Sequence, residues 1–321
     1  MSLNEISIEI IQQCPNNCLH CSSNSCWGAT HVMPYDLVRE TIHSAVELGA
    51  KTICLSGGEP FLHPNIVDIA KDVYELGAQC VIYSSGIYFA DGKYQQIPIE
   101  ILAQIKKYAG KIIINYEASK GKIYDLIMGT SFGGYRIMRR TIKAILKLDI
   151  DVETHVVPMK LNYKQIPQII RQCSELGIRR ISFLRLVEQG RAQENVKLLA
   201  LSQAELDQLK KQIQKYVFQN EIPIRVGIPL RECATKINCM TGISKLNIRY
   251  DGLVYPCEAF KNDLPVGFTE AGPDSIYDKP LECIYQDSPY LLEIRDRLQA
   301  FQLVKTCENC MNQYYRKESL K

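Results

Sequence analysis

Short apolar runs alternate with segments of helical periodicity over the first two thirds of the chain. The runs that predict buried strands lie at 6–11, 52–56, 79–83, 111–116, 152–157 and 180–186. The segments with helical spacing lie at 34–48, 64–76, 99–108, 135–148 and 163–176. Strand–helix units in this order predict an α/β fold with a parallel sheet and right-handed crossovers. Periodicity alone does not distinguish a partial (β/α)6 barrel from an open doubly wound sheet.

The pattern changes near residue 220. A capping box at 202–205 opens a helix that extends to about residue 218, and the strand–helix alternation then ends. Further on, Asp251-Gly252 between apolar runs predicts a β-hairpin. We therefore expect a core domain at 1–220 and a small second domain at 221–321.

Composition narrows the class of protein. The 321 residues are 46% hydrophobic and 23% charged with a net charge of +3, which gives no reason to expect nucleic acid or an acidic membrane as a partner. No apolar run is long enough to cross a bilayer, and the N-terminus lacks the features of a signal peptide. We expect a soluble, cytoplasmic protein. In such a protein, an odd total of 13 cysteines favours metal ligation over a disulfide framework.

Three of these cysteines lie close together after the first predicted strand. Cys14, Cys18 and Cys21 have the spacing Cys-x3-Cys-x2-Cys. Thiolates are soft ligands, typical of iron–sulfur clusters and of zinc. Three thiolates leave one iron of a four-iron cubane free to bind a substrate or cofactor. A zinc loop is the alternative that these residues alone leave open.

Polar or small residues follow the next three predicted strands. The strand ends carry Gly57, Gly58 and Glu59, then Ser84 and Ser85, then Glu117 and Ser119. In a parallel sheet the chemistry is carried at the carboxyl ends of the strands. A glycine pair lets the backbone approach a ligand closely, and a carboxylate beside it can accept a hydrogen bond from an ammonium group.

The cysteine spacing, followed by Gly-Gly-Glu-Pro at the next strand end, resembles the radical S-adenosylmethionine (AdoMet) superfamily. The resemblance implies a partial (β/α)6 barrel and a [4Fe–4S] cluster whose open iron binds AdoMet and cleaves it reductively to a 5′-deoxyadenosyl radical. It also implies that the Gly-Gly-Glu segment holds the methionine amino group, and that Glu117 approaches the ribose where the family usually has Asp. His20 takes the place of a usual aromatic residue. The further AdoMet contacts that the resemblance suggests are Ser84, Ser85, Ser119 and Arg185.

A second group of cysteines lies in the tail. Cys239 precedes the predicted hairpin, Cys257 follows it, and Cys307 and Cys310 come later as Cys-x2-Cys. This arrangement resembles the twitch module, the shortened relative of the SPASM domain, in which four such cysteines hold one auxiliary [4Fe–4S] cluster. A zinc ribbon-like site is the alternative. Cys233 is either a further ligand or a free thiol that donates a hydrogen atom to a substrate radical.

The same resemblance suggests a substrate and partners. SPASM and twitch enzymes mostly modify ribosomally made peptides, so we expect hydrogen abstraction from a precursor peptide, with epimerisation, cross-linking or backbone excision as the outcome. Because the first strand begins at about residue 5, we expect the peptide leader to dock on the enzyme or on a separate leader-binding protein. Reduction of the first cluster calls for a reductase or a flavodoxin-type electron donor.

Two alternative functions stay open at this point. The tail spacing also resembles that of the twitch aminocyclitol dehydrogenase, which favours a radical dehydrogenase of a small molecule. A non-catalytic scaffold with zinc in both cysteine groups would not cleave AdoMet, and the Gly-Gly-Glu segment argues against it.

Overall fold

The computed structural model describes the chain at 2–130, 133–219, 222–227, 230, 239–262, 271–304, 306 and 309–319. The strands in these residues are β1 Glu5–Ile11, β2 Thr52–Gly57, β3 Gln79–Ser84, β4 Tyr88–Ala90, β5 Lys93–Gln95, β6 Ala109–Asn115, β7 Val152–Val156, β8 Arg180–Phe183, β9 Ile224–Val226, β10 Lys245–Ile248 and β11 Val254–Tyr255. The helices are α1 Tyr35–Glu47, α2 Ile66–Glu75, α3 Ile99–Ile105, α4 Gly121–Met128, α5 Gly134–Lys147, α6 Ile166–Leu176, α7 Arg191–Glu194, α8 Val196–Leu199, α9 Gln203–Gln219, α10 Leu281–Asp287, α11 Pro289–Gln302 and α12 Met311–Glu318. Across this part of the chain, no helix has the length and apolar character needed to cross a membrane.

The central sheet has the strand order β11-β10-β1-β2-β3-β6-β7-β8-β9 in the described residues. Every neighbouring pair is parallel except β10 and β11. From β1 to β8 the strands of this sheet follow chain order, without the reversal of a doubly wound sheet. A parallel sheet whose strands are added in one direction is typical of a partial (β/α)6 barrel. The predicted fold class is therefore confirmed, and the doubly wound alternative is excluded.

The two faces of the sheet are packed differently, because successive residues of a strand point to opposite sides. Ile53 and Leu55 of β2 belong to the main hydrophobic core, together with the buried faces of α1 and α2. The residue between them belongs to a separate small cluster of Cys54, Val81, Ile113 and Tyr83. The helices thus cover one face, as in a barrel, and the other face forms the inner side.

The tail of the chain adds strands to both edges of this sheet. β9 pairs in parallel with β8, and β10 pairs in parallel with β1 from Glu5 to Ile8. The predicted hairpin is confirmed: β10 and β11 are antiparallel, and Gly252 takes the positive φ of 82° that the turn requires. Strand β10 therefore brings the tail beside the strand that leads into the first cysteine loop.

A buried ion pair joins the tail to β1. Lys261 Nζ lies 2.5 Å from Glu9 Oε1 and 2.7 Å from Ser23 Oγ, and both charged side chains are 4% exposed. Ser23 Oγ in turn donates to Glu9 Oε1 at 2.8 Å. Strand β1, the segment after the first cysteine loop and the tail thus meet at one polar cluster.

The apolar pattern does not predict the small hairpin of β4 and β5, because its strands have only three residues each. A turn signal is nevertheless present. Asp91-Gly92 lies between the two strands, and both residues have positive φ, 51° and 71°, as a two-residue turn of type I′ requires. The predicted strand at 180–186 is shorter than expected and ends at Phe183, opposite the last residue of β9.

Candidate functional site

The first cysteine loop leaves the end of β1 and is held by backbone hydrogen bonds. Cys14 N donates to Cys26 O at 3.1 Å, and Cys21 N donates to Cys18 O at 3.3 Å. All three predicted ligands are free thiols, Cys14 buried and the other two half-buried. Burial raises the pKa of Cys14 and of Cys18, and the neighbouring thiols raise both further. Such a set of thiols fits a [4Fe–4S] cluster, whose irons bind thiolates and so offset the cost of burying them.

The end of α4 holds the middle of this loop. Asn17 N donates to Met128 O at 3.2 Å, and Cys18 Sγ lies 3.8 Å from Met128 Sδ. Gly129 ends the helix at a φ of 63°, and a Cβ there would lie 2.3 Å from Asn17 O. Glycine is therefore required where α4 meets the cysteine loop.

The glycine pair at the end of β2 packs against the end of β1 and the start of the same loop. Gly58 N donates to Ile11 O at 2.6 Å. A Cβ at Gly57 would lie 2.1 Å from Ile11 O, and one at Gly58 would lie 2.1 Å from Gln13 O. The close approach that the structure shows is thus between the end of β2 and the backbone of the cysteine loop.

The Glu59 carboxylate is fully buried and accepts hydrogen bonds from the end of β3. Its Oε1 accepts from Ser84 Oγ at 2.7 Å, and its Oε2 accepts from Ser85 N at 2.9 Å and from Ser85 Oγ at 2.5 Å. Burial raises the pKa of Glu59 to about 7, although these hydrogen bonds lower it. Glu59 is also close enough to raise the pKa of Cys14. The structure therefore brings these three predicted residues together beside the loop.

Glu117, at the end of β6, lies beside His20 of the loop. His20 Nε2 is 3.6 Å from Glu117 Oε1, and Glu117 Oε2 accepts from Val157 N at 2.9 Å. Burial raises the pKa of Glu117 to about 8 and lowers that of His20 to about 4. Burial thus disfavours the charged form of both groups. His20 Nδ1 is buried without a hydrogen-bond partner among the described residues, so a bound molecule can use it.

Ser119 is hydrogen-bonded to the helical layer. Its Oγ donates to Gln165 Oε1 at 2.9 Å, and its carbonyl oxygen accepts from Tyr135 Oη at 3.1 Å. Gln165 precedes α6, and Tyr135 lies in the first turn of α5. These contacts give Ser119 a role in joining β6 to the outer helices.

Arg191 is a site residue to which the sequence pattern assigns no role. Its Nε donates to Cys18 O at 2.9 Å and its Nη2 donates to Ser25 O at 2.7 Å. The preceding Gly190 has a φ of 55°, and a Cβ there would lie 2.8 Å from Cys21 O. A Gly-Arg pair after the sixth parallel strand is visible in the sequence. Its contact with Cys18, 173 positions earlier, is visible only in the fold.

Three of the tail cysteines come together near β10 and β11. Cys239, Cys257 and Cys310 are all half-buried. Burial raises the pKa of Cys257, and the nearby Cys239 and Cys310 raise it further. Cys233 and Cys307 lie outside the described residues. No three cysteine, histidine or acidic side chains of the described residues could share one metal ion; a cubane instead gives each thiolate its own iron.

Arg185 lies beside this second group of cysteines. Its Nη2 is 3.8 Å from Cys310 Sγ, and its Nη1 donates to Leu186 O at 3.4 Å. The side chain predicted to contact AdoMet thus contacts a tail thiol. It links the end of the sixth parallel strand to the tail.

Comparison with known proteins identifies related chains. The model of the radical SAM superfamily matches residues 8–173. The chain is 24% identical over 281 residues to the antilisterial bacteriocin subtilosin biosynthesis protein AlbA of Bacillus subtilis, with 86% of this chain and 59% of AlbA covered. It is 24% identical over 311 residues to the PqqA peptide cyclase of Ruegeria pomeroyi, with 94% and 78% covered. The chain therefore spans less than two thirds of the length of AlbA.

The fold is also that of a solved structure. Streptococcus suis SuiB bound to its precursor peptide SuiA aligns with a TM-score of 0.74 at 20% identity, over 92% of this chain and 67% of SuiB. The segment matched by the family model is just over half of the chain and contains the cysteine loop and the Gly-Gly-Glu segment. The resemblance to the radical SAM superfamily is thus confirmed. The chain belongs to the radical SAM superfamily, whose chemistry uses AdoMet and a [4Fe–4S] cluster.

Proposed function

We propose that this enzyme abstracts a hydrogen atom from a carbon of a ribosomally made precursor peptide. The observation that carries the proposal is the sequence likeness, over 94% of the chain, to a PqqA peptide cyclase. Two further similar proteins support the same class of substrate. AlbA is a bacteriocin biosynthesis protein, and the structure of SuiB was solved with its precursor peptide SuiA bound. Epimerisation, cross-linking and backbone excision are the candidate outcomes.

In this proposal Cys14, Cys18 and Cys21 hold the first cluster, which with bound AdoMet supplies the 5′-deoxyadenosyl radical. Arg191 keeps the loop in place by donating a hydrogen bond to Cys18 O. The end of α4 does so through Met128 O, which accepts from Asn17 N. Two sets of residues are assigned to AdoMet. They are Gly57, Gly58, Glu59, Ser84 and Ser85 on one side, and His20, Glu117 and Ser119 on the other.

The tail is proposed to hold the auxiliary cluster. Its ligands are Cys239, Cys257, Cys307 and Cys310, within a twitch module at 221–321 that docks on the core at 1–220. The grouping of three of these thiols and the pairing of β10 with β1 support this arrangement. We assign to Arg185 a second role besides the AdoMet contact, that of joining the sixth parallel strand to the tail, because its Nη2 lies 3.8 Å from Cys310 Sγ. Cys233 stays a predicted ligand or hydrogen donor.

Iron content tests the two-cluster assignment. Anaerobically reconstituted protein should hold about eight irons, and the variant Cys14→Ala/Cys18→Ala/Cys21→Ala should hold about four, because each cubane contains four. Cys257→Ala is the complementary variant and should lower the iron content while AdoMet still changes the spectrum of the remaining cluster. A wild type with about four irons that falls to none in the triple variant would remove the auxiliary cluster. Zinc in place of iron would support the scaffold alternative.

The substrate class is tested by mass spectrometry of peptides encoded beside the enzyme. The reaction is run in deuterated water with AdoMet and reductant, and a parallel reaction lacks AdoMet. Epimerisation introduces solvent deuterium without another mass change, cross-linking removes hydrogen, and excision shortens the peptide. Unchanged peptides together with oxidation of an added aminocyclitol would replace the peptide proposal by the small-molecule dehydrogenase.

A further inference from the structure

The outer surface of α4 and α5 has a strong excess of positive charge. Between residues 118 and 148 there are seven lysines and arginines but only one acidic residue, Asp125. Arg136, Arg140 and Lys143 are exposed and lie on one face of α5, because they are four and three positions apart. Together with Tyr135 and Arg139 they line a surface cavity of about 210 Å³.

These charges are not balanced within the described structure. Asp125 binds the start of α5: its Oδ1 accepts hydrogen bonds from Thr130 Oγ1 at 2.9 Å and from Tyr135 N, in the first turn of the helix, at 3.0 Å. Arg136, Arg140 and Lys143 take part in none of the ion pairs between described residues. Like charges at these spacings lower the stability of a helix. Helix formation therefore does not account for this row of cations.

The same surface adjoins the first cysteine loop. Leu126 of α4 is 50% exposed, and Gly129 and Asn17 beside it are exposed as well. In the same last turn of α4, the side chain of Met128 contacts Cys18 Sγ at 3.8 Å. The exposed residues Leu126, Gly129 and Asn17 therefore lie next to the segment that carries Cys18. A large exposed apolar side chain marks the spot.

Cations of both helices flank this apolar spot. Lys122 is exposed one helical turn before Leu126. Helix α5 begins close by, since a Cβ at Gly134 would lie 2.6 Å from Thr130 Oγ1, in the residue after Gly129. Arg136, in the first turn of α5, is therefore close to the end of α4. Exposed cations of both helices thus accompany the apolar side chain beside the loop.

We propose that this basic docking surface binds an acidic electron-carrier protein that reduces the first cluster. The surface consists of Asn17, Lys122, Leu126, Gly129, Arg136, Arg140 and Lys143. One electron leaves the carrier, which is oxidised, and enters the cluster, which is reduced. Opposite charge steers the two proteins together, and the apolar spot gives the carrier close contact beside the segment that carries Cys18. The inference rests on membership of the superfamily and not on the peptide substrate.

The position of the surface favours a carrier over a peptide substrate. Ile137, Met138 and Ile142 on the opposite face of α5 are buried in the main core. The basic face therefore points away from the sheet, whereas a substrate must reach the strand ends where Glu59 and Glu117 lie. An electron carrier needs only to approach the loop from outside.

A charge-reversal pair tests the proposal. Arg136→Glu/Arg140→Glu changes two exposed cations four positions apart, and Lys211→Glu/Lys215→Glu on α9 is the matched control, also exposed and four apart. Binding of purified bacterial flavodoxin to the reconstituted enzyme is measured by calorimetry at low and high salt. AdoMet cleavage is measured with reduced flavodoxin and, separately, with dithionite. The docking variant should bind flavodoxin about tenfold or more weakly at low salt, an effect of the size expected for electrostatic steering.

Cleavage driven by dithionite should be equal in all three proteins, while cleavage driven by flavodoxin should fall only in the docking variant. Equal flavodoxin affinity of the docking and control variants would overturn the proposal, as would absence of binding by the wild type. Parallel loss of both kinds of cleavage would overturn it too, because the substitutions would then have disturbed the cysteine loop. Loss of binding of an acidic precursor peptide, with flavodoxin binding kept, would assign the surface to the peptide instead. AdoMet cleavage can be measured without modification of a peptide. The docking test can therefore still be interpreted if the proposed substrate class is wrong.

Discussion

Two carbonyl oxygens of the cysteine loop, those of Cys18 and Ser25, receive hydrogen bonds from one Arg191 side chain. A guanidinium presents its donors in a fixed planar fork, so it can reach both oxygens at once. Burial and the neighbouring Cys21 raise the pKa of Cys18, whereas the Arg191 cation lowers it and so favours the thiolate that binds iron. At the scale of single residues, the ligands are thus positioned by a side chain that is itself not a ligand.

Arg191→Ala should loosen the loop. Loss of the donors removes the partner of Ser25 O and leaves Cys18 O with only the longer bond from Cys21 N, and we expect a local cost of about 1–3 kcal/mol. Hydrogen exchange of the amides at 14–26 in the metal-free chain should become faster, and reconstituted protein should lose iron from the first cluster more readily. Arg191→Lys should restore only part of the protection, because an ammonium cannot make the forked contact.

Arg171→Ala is the matched control for this variant. Arg171 is exposed on α6, and the same exchange measurement should show no change at 14–26. Unchanged exchange in the Arg191→Ala protein would contradict the positioning role.

At the scale of elements, the backbone at the end of β2 lies in close contact with the start of the cysteine loop. Gly58 N and Glu59 N both donate to loop carbonyls, at 2.6 Å and 2.9 Å. Gly58 is not among the residues with positive φ, so its backbone would accept other side chains. What it lacks is room, because a Cβ would lie 2.1 Å from Gln13 O. The glycine therefore sets the distance between strand and loop.

Gly58→Ala should push the loop away from β2. We expect a loss of about 1–3 kcal/mol in the free energy of unfolding, as for other overpacked sites, and a lower iron content of the first cluster. Gly28→Ala is the matched control, since nothing lies within 4 Å of a Cβ built there and its φ is not positive either. Chemical denaturation and iron analysis of the two variants should differ clearly. Equal values would show that the loop accommodates the methyl group.

At the scale of the whole molecule, the tail is joined to the core by strand pairing and by one buried charge pair. Strand β10 lies along β1, and Lys261 reaches Glu9 and Ser23. Breaking one side of a buried pair is costly because the other charge is left without a partner. Replacing both sides by uncharged residues can be nearly neutral. The pair is therefore expected to determine how the tail docks more than how stable the protein is.

Lys261→Met should lower the free energy of unfolding by about 3–5 kcal/mol, because Glu9 stays buried and charged. Glu9→Gln/Lys261→Met should recover most of that loss. Lys71→Met removes a surface pair of α2 and serves as the control, for which we expect no measurable change. Urea denaturation of the wild type, Glu9→Gln, Lys261→Met and the double variant gives the coupling energy. Additive single and double effects would rule out a direct interaction between Lys261 and Glu9.

The sequence by itself determined what depends on neighbours along the chain. The spacing of Cys14, Cys18 and Cys21, the strand–helix alternation and the turn at Asp251-Gly252 are short-range properties, set by ligand reach, side-chain period and backbone φ. They were enough to predict the family, the parallel sheet and the residues at the strand ends. The individual AdoMet contacts and the role of Cys233 stay predictions.

Only the tertiary structure decided which distant segments meet. The single direction of winding, the contact of Arg191 with Cys18 and the pair of Lys261 with Glu9 join residues that local periodicity cannot relate. The row of cations on α5 is visible in the sequence, but its position beside the cysteine loop is not. Such contacts arise because packing the helices on one face of the sheet brings remote loops to the same edge, and no pattern within a single element carries that information.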